Sequence, residues 1–105
     1  MKTVFEQLTG FQWDVGNINK NLIKHNVENR ECEQIFFNSP LVILDDLKHS
    51  IAEKRQAAFG KTDKGRLLVI IFTERDSLIR VISARDMNRK ERSFYNEKRQ
   101  NHSEF

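Results

Sequence analysis

The stretch "RLLVIIFTE", residues 66–74, limits the folds open to this chain more than any other. Its centre, Leu67 to Phe72, is the longest uninterrupted apolar run and is rich in β-branched residues. A run of this length suits a buried central strand and is too short to cross a bilayer. Turn signals bound it, "DKG" at 63–65 and "RDS" at 75–77. Before the first turn, "EKRQAAFGKT" (53–62) alternates Ala57 and Phe59 against Gln56 and Ala58. After the second, "LIRVISAR" (78–85) sets Arg80 on one face and Ile79, Val81 and Ser83 on the other, with Arg85 leaving on the Ser83 side. "LVILDD" (41–46) supplies a fourth strand. Together these predict an antiparallel meander.

The segment before the meander reads differently. "GFQWD" (10–14) is a short strand with Phe11 and Trp13 on one face. Asp14 is placed to cap a helix over 15–26, with Ile18, Leu22 and Ile23 facing inward. Asn29 is placed to cap a second helix over 30–38, with Cys32, Ile35 and Phe36 inside, and Pro40 ends it. At the far end Asn88 and Glu91 form a capping-box pattern opening a helix over 89–99. The order is β-α-α-β-β-β-β-α, an α+β sandwich of two layers: an antiparallel sheet, two N-terminal helices on one face and a C-terminal helix. Its 105 residues suffice for a single domain, 1–105, with a loose extension at 1–9 and a frayed tail at 100–105.

Cys32 is the one cysteine, which excludes an internal disulfide and suits a reducing cytoplasm. No signal peptide or membrane segment is expected. Charge is divided unevenly. Residues 1–53 carry 5 Lys/Arg against 8 Asp/Glu, whereas 54–99 carry 13 against 6, a net of +7 with eight arginines. Arginine forks match phosphate oxygens, so the basic half points to a polyanion partner. Arg66, Arg80, Arg85, Arg89, Arg92 and Tyr95 are expected to converge at the rim of the sheet face that the two N-terminal helices leave open.

The fragments "FQWD", "NLIKHNV", "DDLKHS", "KGRLLVIIFTERD" and "IRVISARDMNRKERSFY", in this order and spacing, resemble the BrnT family over about residues 10–98. That family commonly has glycine where this chain has Asn26, and an acidic run where it has "CEQ". The resemblance implies a RelE-like fold and a toxin of a type II toxin–antitoxin system. It also implies cleavage of messenger RNA that inhibits translation. The implied partner is a BrnA-type antitoxin with a ribbon-helix-helix DNA-binding part, in a hetero-oligomer that recognises operator DNA mainly through the antitoxin.

Metal-independent RNA cleavage needs cations for the phosphate and groups that move protons. Arg66 and Arg85 are the leading phosphate ligands, matching by resemblance an arginine that opens a core strand and one that ends the last strand. Tyr95 resembles the C-terminal tyrosine of RelE enzymes. Glu74 and His49 are further catalytic candidates. Arg55, Lys61, Arg75, Arg80, Arg89 and Arg92 are candidates for RNA-phosphate binding. No cofactor is expected, and Asp45, Asp46 and His49 make a weaker alternative as a metal site. His25 and His102 read as structural. Cleavage is expected on RNA, free or on the ribosome, and the competing reading is a non-catalytic nucleic-acid-binding module that uses the same basic face.

Overall fold

In the computed structural model, which describes residues 10–49 and 53–103 with the side chains of 49 and 100–103 set aside, the apolar run lies at the middle of a five-stranded sheet. The elements are β1 (Gly10–Gln12), α1 (Lys20–His25), α2 (Asn29–Ile35), β2 (Val42–Asp45), β3 (Gln56–Lys61), β4 (Leu67–Arg75), β5 (Leu78–Asp86) and α3 (Arg89–Ser103), with a 3-10 turn at Leu47–His49. The sheet order is β1-β5-β4-β3-β2. β2 to β5 form the expected antiparallel meander. The sheet as a whole is mixed, however, because β1 runs parallel to β5. The chain crosses from one edge of the sheet to the other through α1 and α2, so β1 has no hairpin partner to turn against. The expected extension at 1–9 lies outside the described residues. α3 continues past the predicted end at 99 into the expected tail, and 104–105 lie outside the described residues.

Alternation along the strands builds two apolar layers. Leu68, Ile70, Phe72, Ala58, Ile79, Val81 and Ala84 face α2 and pack with Val27, Cys32 and Ile35. Close approach of α2 requires Gly60, where an added Cβ would meet Ile35 Cβ at 3.0 Å. On the opposite face Phe59 and Val69 pack with Met87 and Tyr95, so α3 covers one end of that face.

A bulge resets the register of β5. Ile71 pairs with Ser83 but Phe72 pairs with Val81, so Ile82 is the extra residue. Simple alternation had put Ser83 and Arg85 on the Val81 side. The bulge moves both to the opposite face and turns Ala84 inward instead. β1 pairs only as far as Arg80, so the edge of β5 beyond it needs other partners. Side chains supply them: Asn17 Nδ2 donates to the Val81 carbonyl (3.1 Å), Lys20 Nζ to the Ile82 carbonyl (3.2 Å), and Asn21 Oδ1 accepts from the Ala84 amide (2.9 Å).

Those contacts explain why the first helix departs from its expected form. Residues 15–19 are turns, Asn19 is left-handed (φ 61°), and helix begins only at Lys20. The buried face is polar, carried by Asn17 and Asn21, while Ile18, Leu22 and Ile23 are exposed. Asp14 accepts from the Gly16 amide and does not cap α1. α1 ends on Asn26 at φ 56°, a left-handed cap that glycine adopts freely and asparagine tolerates. α2 starts one residue early, with Glu28 rather than Asn29 at its N-cap. Among the described residues no helix is long and apolar enough to cross a membrane.

Candidate functional site

The part of the second sheet face that α3 leaves uncovered is a groove of about 490 Å³. Leu44, Ala57, Ile71 and Ile82 line it with apolar surface, and Ser83 adds a hydroxyl. Arg85 and Glu91 stand at the α3 end, Arg55 near the start of β3, and Asp45 and Asp46 on the β2 side. Arg85 lies opposite Val69, whereas Arg55 just precedes Gln56, which pairs with Phe72. The two arginines are therefore separated by about four residue positions along the strands, roughly 13 Å. A groove with cations at both ends and a partly apolar floor suits an extended single strand of nucleic acid, backbone on the arginines and bases on the floor.

Arg85 is held firmly. Its Nη1 and Nη2 donate to Glu91 Oε1 (2.7 Å) and Oε2 (2.9 Å), and Nη1 also reaches the Asp86 carbonyl (3.2 Å). The Arg85 guanidinium holds the Glu91 carboxyl below the usual range, helped by the Asn88 amide. Glu91 has a second duty in the expected capping box: Asn88 N donates to Glu91 Oε1 (2.8 Å) and Glu91 N to Asn88 Oδ1 (2.9 Å). The sequence signalled Glu91 only as a cap. Its other role was legible in principle, since six residues separate it from Arg85 and the cap aims its carboxylate back at the strand end.

The expected convergence is only partly present. Arg66 lies with the α2 layer, apart from Arg85. Its Nε and Nη2 donate to Asp86 (2.7 and 3.0 Å), and its Nη1 donates to Glu31 (3.2 Å) and to the Asn26 carbonyl (2.8 Å). This network pushes the Arg66 pKa up, chiefly through Asp86. Tyr95 is fully buried and donates its hydroxyl to the Pro40 carbonyl (2.6 Å), and burial raises its pKa. It presents no phenol to the groove.

Others lie at the far end of the sheet. Arg80 pairs with Asp14 (2.6 and 3.1 Å) and Arg75 with Glu53 (2.7 and 3.2 Å). Glu74, opposite Ile79, lines a separate depression with Glu53, Lys54, Gln56 and Thr73. It is five residues along β4 from Arg85's partner Val69, roughly 17 Å. Lys61 ends β3, Arg89 is exposed on the first turn of α3, and Arg92 donates to the Met87 carbonyl (2.8 Å). The side chains of His49 and His102 lie outside the described residues. Among the described residues no three His, Cys, Asp or Glu side chains gather as a metal site would require. Cys32 is core, as expected, and burial pushes its thiol up to about 12.

No curated protein matches this sequence significantly. A family model described as "Ribonuclease toxin, BrnT, of type II toxin-antitoxin system" matches residues 13–91, a span that includes Arg55, Arg85 and Glu91 and stops short of Tyr95. Matched over most of its length, the chain belongs to the BrnT family of ribonuclease toxins, whose type II systems pair each toxin with a protein antitoxin.

Proposed function

We propose that this chain, as a single RelE-like domain, is an endoribonuclease that cleaves messenger RNA in the cytoplasm and so inhibits translation. The groove between Arg55 and Arg85 is its substrate site. The observation that carries this reading is the placement of Arg85. Both arginines expected to lead border a depression. The one beside Arg66, of about 520 Å³, also holds Glu28, Glu31 and Asp63, whereas Arg85 opens onto the groove with the apolar floor. Arg85 and Arg55 hold backbone phosphates, and the floor of Leu44, Ala57, Ile71 and Ile82 takes the bases. Arg75 and Arg80 extend the basic track toward the far end of the sheet, each paired to an acid as Arg85 is. No step is assigned to Arg66 or Tyr95. A BrnA-type antitoxin with a ribbon-helix-helix part covers the groove with carboxylates and carries operator recognition, so that opposite charge speeds association.

One observation favours the non-catalytic reading. Tyr95, which had argued against a mere backbone binder, proves to be a core residue with a reason of its own to be there. The two readings part on product formation. Purified protein is incubated with RNA, free or on translating ribosomes, and new ends are mapped. New ends that disappear in Arg85→Ala support the ribonuclease. Salt-sensitive binding without any new ends supports the binding module.

A further inference from the structure

The two oxygens of Glu91 are not equivalent. Oε1 accepts from Arg85 Nη1 (2.7 Å) and from the Asn88 amide (2.8 Å), whereas Oε2 accepts from Arg85 Nη2 alone (2.9 Å). A phosphate that takes the Nη1–Nη2 edge of Arg85 displaces Glu91, because that edge holds both carboxylate oxygens. Oε1 then stays anchored by the Asn88 amide on the rigid first turn of α3, and Oε2 is left without a donor beside the newly bound phosphate.

We propose that Glu91 is the general base of the groove, occupied by Arg85 while the site is empty and released by the substrate phosphate that Arg85 captures. This rests on the ribonuclease reading above and gives it the proton acceptor that neither Tyr95 nor Glu74 is placed to supply. The 2′-hydroxyl next to the bound phosphate gives its proton to Oε2. O2′ bonds to phosphorus as the P–O5′ bond breaks, and the departing O5′ takes a proton from water. Glu91 then passes its proton to solvent. The products are a 2′,3′-cyclic phosphate and a 5′-hydroxyl, with no net gain or loss of protons.

The charged groups around Glu91 support this choice. Arg85 faces it from β5, Arg55 lines the groove near β3, and Asp45 and Asp46 line the β2 side. β2 is three strands from β5 in the sheet, about 14 Å, so its acids are poorly placed for a hydroxyl beside a phosphate on Arg85. Arg85 is the largest of the groups that hold the carboxyl low, with the Asn88 amide also lowering it. Losing that partner to a phosphate lets it move back toward its ordinary value, which makes it a better proton acceptor when substrate is bound.

The test uses the full-length chain and a mixed-sequence RNA, on ribosomes or free, whichever the wild type cleaves. Glutamine also serves at this position of a capping box, so Glu91→Gln should keep its fold and melting temperature within a few degrees. Its kcat should fall about 10²–10⁴-fold, and the acidic limb of the wild-type pH profile should vanish. A Glu91→Gln protein that cleaves within about threefold of wild type, or keeps the same acidic limb, overturns the assignment while leaving the groove reading intact if Arg85→Ala is inactive. Should Glu91→Gln fail to fold, the wild-type profile still decides: no acidic limb overturns the assignment. If the wild type yields no cleavage, or Arg85→Ala keeps full activity, the groove reading falls and this inference with it.

Discussion

Arg66 and Arg85 serve opposite faces of the sheet, although each stands at the same end of the β4–β5 hairpin, with Arg66 tied to Glu31 and Asp86 and Arg85 to Glu91. The two should therefore fail differently when truncated. Arg66→Ala removes several charge-assisted hydrogen bonds from a partly buried network and should cost about 2–3 kcal/mol of stability. Arg85→Ala should leave the melting temperature within a few degrees and lower cleavage about 10²–10³-fold. Parallel melts and cleavage assays of the single variants check both. Equal losses of activity at unchanged stability would return Arg66 to the site.

Acid should loosen the Arg66 network. The Arg66 fork holds the Asp86 carboxyl below its ordinary value of 3.8. A carboxylate with a depressed folded pKa stabilises fully above its unfolded pKa and loses that contribution as pH falls through the folded value. The gap in melting temperature between wild type and Asp86→Asn should be constant above about pH 5 and should shrink below about pH 4. A gap unchanged down to pH 2 would mean that Asp86 gains nothing from Arg66.

Much of this fold was legible because local signals agreed. The run Leu67–Phe72, its flanking turns and the Asn88–Glu91 cap each specify geometry within a few residues, and β4, β5 and the start of α3 follow them. The errors came where geometry is set at a distance. The Ile82 bulge, invisible to period-two counting, moved Arg85 to the other face. The turns before α1 and α1 itself bury Asn17 and Asn21 because the edge of β5 lacks partners there, a demand that the segment's own sequence does not display. Tyr95 read by resemblance as a catalytic phenol, with packing against the sheet as the alternative, and nothing local shows that its hydroxyl donates to the Pro40 carbonyl.

Tyr95→Phe should separate packing from chemistry. The change removes a buried hydroxyl and leaves the Pro40 carbonyl without its 2.6 Å donor. It should cost about 1–2 kcal/mol of stability with the ring still in place. Cleavage measured well below the melting temperature should stay within about twofold of wild type. A folded Tyr95→Phe protein that no longer cleaves would restore the phenol as a catalytic group.

Asn26 offers the last prediction. It ends α1 at φ 56°, ψ 39°, and its carbonyl accepts from Arg66 Nη1 at 2.8 Å. Backbone conformation, not the amide side chain, is what this position demands. A β-carbon in the left-handed region is disfavoured, and asparagine tolerates it only through its short polar side chain. Asn26→Gly should therefore keep or raise the melting temperature, since the residue best suited to this cap also leaves the carbonyl free to bind Arg66. Asn26→Ala should lower stability by about 1 kcal/mol. Thermal melts of the pair settle the matter. A destabilised glycine variant beside a neutral alanine one would show that the asparagine side chain does more than tolerate the turn.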